Sequence, residues 1–506
     1  MEESIEPSLP SPGEGRSPGG SRRKAGFLAL ALLFVVAFQL GRTYRFAETD
    51  LWWNLAAGRE IVLTHSLPRH DTWAFTPTLP EWHNHEWLSQ IVFFSAWSAF
   101  GPAGMIYLKT FLILLIFLLG AAAALKRGAG PIAVSFFMML TSIGLYPITS
   151  IRPQIFTYLF FAWFLFLVGE GDIRSRTRAV LALASVPLWV GFHGGFVVGL
   201  AILSVYAAAR VGDVGWEKGK SLLFLVGACW GMTVVNPYGI GHWSFLIEAM
   251  RHDRSMFAEW SPVAGQWVRQ WPFFLALSAS VFSLAVSRRH KSKAELALLV
   301  FTAFLGFSRV RFVPFFIISA WVFVPVHWES ALRFLGGHFQ PVSKAVLTAG
   351  SFILVLYGAV CVFYSADQNA FRWDWRLKLA IHDDPWHVGF PVDLVQYMKE
   401  KALWGRVACP LAWGGFLEWE LPGQVKVNLD GRWDTVYPQD VILQGHDFAN
   451  GINWQAYLKR YEPDIVLAFQ GGPLDRGLST LAGWTRLYEG RSGVLFIRKN
   501  FPPGKF

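Results

Sequence analysis

The feature that most constrains this chain is a succession of apolar runs separated by short charged segments. The runs fall at 26–40, 103–125, 131–148, 153–169, 179–192, 194–210, 221–236, 272–287, 294–307, 312–328 and 344–364. A membrane-crossing helix needs about 20 mostly apolar residues, fewer where the bilayer is locally thinned. The pattern therefore predicts a polytopic α-helical membrane protein of about 11 spans. Composition agrees: 16% of the 506 residues are charged, against about 25% in an ordinary soluble domain. A single water-soluble globule is excluded, and so is disorder over most of the length. The net charge of +10 needs no nucleic-acid partner, because Lys and Arg gather on the cytoplasmic loops of membrane proteins. Cys229 and Cys361 lie in apolar runs and Cys409 in a later polar segment. No pair among them suggests a disulfide, a zinc site or a redox centre.

Charge sets the expected topology. Residues 1–25 read as a disordered cytoplasmic tail. Arg22-Arg23-Lys24 precede the first run. No small-residue cleavage site follows, so that run is expected to stay as a span. With the N-terminus inside, the basic clusters at 126–127, 174–178, 218–220, 288–293 and Arg333/Lys344 share one side, as the positive-inside rule requires. A full span at 88–100 would move the later clusters to the other side, which argues for a helix at the interface. The loop 41–102, the loop 237–271 and the tail 365–506 then face outward from the inner (plasma) membrane. The region 26–364 forms the membrane domain. The tail is polar and too long for a loop. Arg406–Cys409 and Val425–Leu429 read as strands, Trp413–Glu420 as a helix, Asp464–Ala468 as a buried strand and Trp484–Arg498 as a hairpin. Strands alternating with helices predict a soluble α/β domain outside the membrane. No internal repeat shows a clear period.

The loop Phe46–Gln90 holds the densest chemistry. Asp50 follows the first span, where Thr49-Asp50 can cap a helix over Leu51–Thr64. Leu51, Leu55 and Val62 line one side of that helix and Asn54, Arg59 and Glu60 are polar, so it is expected to lie in the membrane plane. A carboxylate there stands at the lipid–water boundary, as a helix cap or as a reactive group. Ser66–Pro80, with three prolines, predicts an ordered loop without regular structure. His65, His70, Asp71, Glu81, His83, His85 and Glu86 follow among aromatic residues. That density predicts a polar, aromatic cleft. His83-x-His85 is a common spacing with no cysteine beside it, so a divalent metal is not favoured and no cofactor is expected.

The patterns D-L-W-W-x-L-A-x-G-R-x-I from Asp50 and W-x-x-H-E-W-L-S-Q from Trp82 resemble multi-spanning bacterial glycosyltransferases of the GT-C fold. These include the dolichyl-phosphate-mannose-protein mannosyltransferase-like and RgtA/B/C/D-like groups. The resemblance continues in Ile151-Arg152-Pro153-Gln154, Phe192-His193-Gly194-Gly195, Asn236-Pro237-Tyr238-Gly239, Glu259-Trp260-Ser261-Pro262 and Leu429-Asp430-Gly431-Arg432. It implies a GT-C-like membrane domain that takes a sugar from a polyprenyl-phosphate-linked donor at the outer face. The catalytic carboxylate of such enzymes lies in the first outer loop, which Asp50 matches. Two positions depart from the pattern: the acidic pair is split as Glu48-Thr49-Asp50, and Asn54 stands where close relatives have His.

Such a transfer needs a base for the acceptor hydroxyl, cations for the departing phosphate and a groove for the isoprenoid. Asp50 is the expected base, with Glu86 beside it to orient the acceptor or share the proton. Arg59, Asp71, His83, His85, Arg152, His193, Arg309 and Arg311 are the candidate substrate-binding residues, the arginines at span ends being equally suited to snorkelling. The acceptor could be a glycan, a lipid or a protein. Two other readings stay open. One is an O-antigen ligase or polymerase-like enzyme relying on Arg251, His252 and Arg254. The other is a non-enzymatic lipid or glycan transporter, which would place ionisable groups near the bilayer midplane.

Overall fold

The structure, a computed structural model, describes residues 26, 28–36, 47–145, 150–168, 175–252, 258–336 and 389–500. The apolar runs fold as helices: α1 (Thr49–Thr64), α2 (Trp87–Phe100), α3 (Pro102–Lys126), α4 (Pro131–Leu145), α5 (Gln154–Val168), α6 (Arg176–Phe192), α7 (Phe196–Val214), α8 (Trp216–Met232), α9 (Gly241–Ala249), α10 (Trp271–Val286), α11 (Lys293–Ser308), α12 (Val313–Phe323) and α13 (Pro325–Gly336). By length and composition α3 and α7 suit a membrane crossing, and Val310–Phe323 with Pro325–Leu335 makes a third, broken by a 54° bend. Four shorter apolar helices, α2, α4, α5 and α10, accompany them. The eleven sequence runs thus include helices too short to cross unaided. The run at 344–364 and Arg254 lie outside the described residues.

The run 312–328 is not one straight helix. Pro325 opens its second half and has no N–H to continue the ladder, so the chain breaks there. Every residue of α12 is buried, which makes it the axis of the bundle. Gly120 of α3 and Gly144 of α4 let neighbours close on it: a Cβ at Gly120 would lie 2.2 Å from the Trp321 ring.

The helix after Asp50 lacks the wet face expected of an amphipathic helix. Residues Leu51–Gly58 of α1 are all buried, because α1 is clasped between α2 and a helix of the C-terminal domain. A Cβ on Gly58 would meet the Gln90 carbonyl oxygen at 2.1 Å, so this glycine sets the close approach of α1 and α2. Trp52 packs edge-on against Trp97, Phe390 and Phe416.

The turns of the bundle sort to two ends. At one end Arg127 pairs with Glu295, the Arg289 guanidinium donates to the Arg127 carbonyl, and Asp213 accepts from Ser292 and the Lys293 and Ala294 amides. This end gathers basic loops expected on one membrane side. The turns that carry Asp50, Arg152, His193, Glu259 and Arg311 meet at the other end.

The tail adds α14 (Val392–Lys401), α15 (Leu411–Glu420), α16 (Gln439–Ala449), α17 (Trp454–Tyr461) and α18 (Pro473–Thr480) around five strands. These strands are β1 (Gly405–Ala408), β2 (Val425–Val427), β3 (Ile465–Ala468), β4 (Trp484–Glu489) and β5 (Val494–Arg498), in the order β2-β1-β3-β5-β4. The first three are parallel, and β5 and β4 add antiparallel. β3 is buried throughout, as a central strand of an α/β sheet must be. The loop of prolines from the first half of the chain extends this sheet: Ala74 bridges Val427, with Phe75 donating to the Val427 carbonyl and Val427 to that of Trp73. Sheet and first loop are therefore one folded unit.

Candidate active site

The site is assembled from segments far apart in the chain. Asp50 lies in the first turn of α1, one residue past the helix start. Arg152 comes from the turn before α5. Its Nε and Nη2 donate to Asp50 Oδ2 at 2.8 and 2.5 Å, and its Nη1 donates to Glu259 at 2.9 Å. Arg311, in the 3-10 turn before α12, approaches the other Glu259 oxygen at 3.7 Å and stacks on Trp260 with 4.1 Å to the ring centre. An alternating row of charge results, Asp50–Arg152–Glu259–Arg311. Burial works against the Arg152 charge, but Asp50, Glu259 and Glu48 outweigh it and raise its pKa. Such alternation keeps both cations charged where water is scarce.

Glu86 stands at the start of α2 beside this row. Burial and then the negative charge of Asp50 push its pKa up to about 8, against the opposing pull of Arg152 and Arg311. It is therefore mostly a neutral acid near pH 7. His193 Nε2 lies 3.8 Å and His85 Nε2 3.7 Å from Glu86 Oε1. The Gly195 amide donates to His193 Nδ1 at 3.0 Å and Thr157 Oγ1 lies 2.8 Å from the same nitrogen. Burial, then Arg311, His85 and Arg152, lower the His193 pKa well below its ordinary value. With Nδ1 accepting, the proton of the neutral ring sits on Nε2, toward Glu86. Burial, with His242 and His83, lowers His85 to about 3.

A cavity of about 250 Å³ opens beside these groups. His85, His193, Arg311 and Asp434 are its ionisable lining, Gln154, Thr157 and Thr435 add uncharged polar groups, and Tyr158, Phe245, Leu246, Trp260 and Phe315 are among its apolar walls. Asp434 comes from the C-terminal domain and pairs with His252 of the loop 237–271 at 3.2 Å. Membrane bundle, outer loop and tail domain all contribute to one cavity with an apolar side and a charged end, where Arg311 and Asp434 stand.

The tail domain also touches Asp50 itself. A Cβ on Gly431 would lie 2.6 Å from Trp53 Cδ1 and 3.2 Å from Asp50 Oδ1. Only a glycine lets the Asp430–Arg432 turn approach this closely. The turn is anchored by Arg432, which bonds Asp430 through Nε (2.9 Å) and Nη2 (2.6 Å), pairs with Asp71 at 2.7 Å, and packs against the rings of Trp73 and Trp82. Tyr437 donates to Asp430 as well. Nearby Glu418 is pushed well above the usual carboxylate range by burial and by the Asp430 charge.

The candidates named from sequence divide accordingly. Asp50, Glu86, Arg152, His85, His193 and Arg311 converge. Arg309 is exposed and bonds the Ser308 carbonyl. Arg309 caps the 3-10 turn Val310–Phe312 from outside while Arg311 sits within it, so only Arg311 reaches Glu259. Arg59 donates to the Trp419 and Glu418 carbonyls at 3.0 Å each and stacks on Trp419, so it clasps the tail domain to α1. Asp71 accepts from the Trp73 and Ala74 amides, which fixes the turn that meets Arg432. His83 bonds His242 at 2.9 Å and stacks on Phe245 and Tyr238, joining the two outer loops. Burial, then His242 and Arg69, lower His83 to about 3. Arg251 is exposed and pairs with Glu248. Among the described residues no group of three or more His, Cys, Asp or Glu is placed to hold a metal ion. Sequence reasoning missed Asp434 and Glu418, which sit in no motif. It also missed Lys109, buried in α3 within electrostatic reach of Glu48. A lone Lys in an apolar run was the available signal.

The sequence matches no protein-family model and no curated protein. The fold does find relatives. The oligosaccharyltransferase of Archaeoglobus fulgidus superposes with a TM-score of 0.57 at 10% identity, over 90% of this chain and 70% of that one. The arabinofuranosyltransferase AftD from Mycobacteria superposes with a TM-score of 0.56 at 13% identity, over 94% of this chain and 40% of that one. This chain has the GT-C fold of membrane glycosyltransferases. It spans well under half the length of the mycobacterial enzyme.

Proposed function

We propose that this protein is a membrane glycosyltransferase that moves a sugar from a polyprenyl-phosphate-linked donor to a hydroxyl acceptor at the outer membrane face. The observation that carries the reading is the row Asp50–Arg152–Glu259–Arg311 beside a cavity that is apolar on one side and has the Arg311 guanidinium at one end. That combination suits an amphiphile with a phosphate head. Asp50 is the base: it accepts the proton of the acceptor hydroxyl as that oxygen bonds to the anomeric carbon. The bond from that carbon to the phosphate oxygen breaks, and its electron pair leaves on the polyprenyl phosphate. Arg311, with Arg152, stabilises the charge gained by the leaving phosphate. Both Arg152 bonds to Asp50 end on Oδ2, so Oδ1, beside Gly431, is the oxygen that meets the acceptor. Glu86, as a neutral acid, donates a hydrogen bond to the reacting groups. The gathering of basic loops at the opposite end of the bundle supports an outward-facing site.

The acceptor is a glycan, lipid or protein on that face. Mass spectrometry of surface glycans and lipid-linked sugars in a deletion strain tests the reading. Loss of one sugar from a glycan, with accumulation of its polyprenyl-phosphate form, is the expected result. Unchanged glycans with no accumulated donor contradict it.

A further inference from the structure

Behind the cavity, a short chain of hydrogen bonds runs in one direction through the bundle. Thr157 stands in the first turn of α5, Trp189 near the end of α6, His193 at the cap of α6 and Gly195 just before α7. Thr157, Trp189 and His193 are all buried. An indole N–H can only donate, so Trp189 Nε1 gives its proton to Thr157 Oγ1 at 3.1 Å. A backbone amide can only donate as well, and that of Gly195 meets His193 Nδ1 at 3.0 Å. Nδ1 is therefore bare. The Thr157 hydroxyl lies 2.8 Å from the same nitrogen and is its second donor. A helical Ser or Thr often returns its hydroxyl to the carbonyl four residues back, as Thr110, Ser135 and Thr302 do. Thr157 bonds His193 instead.

The surroundings hold this chain in place. A Cβ on Gly195 would lie 2.6 Å from Thr157 Oγ1 and 2.8 Å from His193 Nδ1, so only glycine lets that amide come so close. The Trp189 ring packs against Gly199, where a Cβ would lie 2.2 Å away, and stacks with Phe160 at 5.7 Å. Thr157 also borders the cavity. Its proton is committed to the imidazole and its oxygen to the indole, so it serves the ring and not a ligand. On the far side of the ring, His193 Nε2 lies 3.8 Å from Glu86 Oε1. Contacts of this length in a resting active site tighten into hydrogen bonds when substrate enters.

We propose that Thr157 is a positioning residue for the transfer: with Gly195 it fixes the His193 ring in one orientation and one tautomer, so that a single N–H, on Nε2, faces Glu86 and the cavity. His193 is thereby a fixed donor and not a base, because its bare nitrogen is already occupied by the backbone and Thr157. The lowered pKa of the ring agrees with this. The inference rests on the glycosyltransferase reading and adds to it a residue that lies outside the row Asp50–Arg152–Glu259–Arg311.

Full-length protein in lipid nanodiscs, carrying isotope-labelled histidine, reports the tautomer by NMR of the ring nitrogens, with His193→Asn identifying the signal. The expected result near pH 7 is a bare Nδ1 and a protonated Nε2. Thr157→Val keeps the side-chain shape and removes the hydroxyl. It should lower kcat for sugar transfer roughly ten-fold with little change in KM, and Thr157→Ser should restore it. In a Glu86→Gln background Thr157→Val should cost little more, since both act through one carboxyl. A protonated Nδ1, transfer by Thr157→Val at the wild-type rate, a Thr157→Ser protein as slow as Thr157→Val, or an equal loss in both backgrounds overturns the inference. Wild-type protein that transfers no sugar while Nδ1 stays bare sinks the glycosyltransferase reading. A protonated Nδ1 in protein that does transfer sugar sinks the positioning role alone, so the two failures are distinguishable.

Discussion

Arg152 and Arg432 are both guanidinium groups set among carboxylates, and both tie the neighbourhood of α1 to another part of the chain. Arg432 is sealed, 1% exposed against two tryptophan rings, with Asp430 and Asp71 at 2.6 and 2.7 Å. Arg152 has a quarter of its side chain exposed, beside a cavity, and its partners are Asp50 and Glu259. A sealed ion cluster offers no route for a ligand, and removing one partner strands charge in the interior. An open cluster lets a substrate phosphate replace one carboxylate at little cost. The first arrangement fixes geometry, and the second is the one proposed to carry the chemistry. Gly431 links them, since the turn Arg432 anchors is the one that rests on Asp50.

That contrast is breakable. Arg432→Met should cost about 3–5 kcal/mol of stability and release the tail domain to limited proteolysis. A variant that unfolds like wild type would show that the sealed cluster is dispensable. Arg152→Met should instead lower sugar transfer by on the order of 10²–10³-fold with a much smaller change in unfolding temperature. If it destabilises as much as Arg432→Met, the division of labour fails. Gly431→Ala forces a Cβ against Trp53 and Asp50, and a displacement of this kind costs roughly 10²-fold in rate while substrate binding changes little. Arg309→Ala is the smallest effect: unfolding within about 0.5 kcal/mol of wild type and transfer essentially unchanged, against a marked loss for Arg311→Ala.

Glu86 sharpens the comparison through pH. Its folded pKa, about 8, lies above the ordinary carboxylate value of 4.5. The folded state therefore binds a proton that the unfolded state has released. Its stabilising contribution is full below pH 4.5 and is lost as pH rises through about 8. Thermal unfolding measured from pH 5 to 8.5 should show wild-type stability declining on the order of 4 kcal/mol more than that of Glu86→Gln. Parallel curves for the two proteins would remove Glu86 from the account.

Much of this arrangement was legible before the fold. The helices α3, α5 and α10 match their apolar runs because charge or proline bounds each one. The tail strands and the 484–498 hairpin followed from alternation and turn residues. Asp50, Glu86, Arg152, His193 and Arg311 could be assigned to one end of the bundle from charge topology. Their pairing could not, because it depends on how α5, α6 and α12 pack. The amphipathic reading of α1 failed because both of its faces are covered over Leu51–Gly58. Leu51, Leu55 and Val62 suggested one wet face, but Trp52, Trp53 and Gly58 were the better signal, since a glycine within a helix marks close approach of another backbone. Arg59, Asp71 and Arg309 looked equivalent to the other candidates in sequence. Contacts with Trp419 and Arg432, and the facing of a single 3-10 turn, separate them.

The most direct measurement is the rate of sugar transfer by Asp50→Asn in sealed vesicles, with the unfolding temperature recorded alongside. Loss of the base predicts a fall of at least ~10²-fold, and up to ~10⁴-fold, at nearly unchanged stability. Transfer within a few-fold of wild type would contradict the assignment of Asp50 and the account built on it.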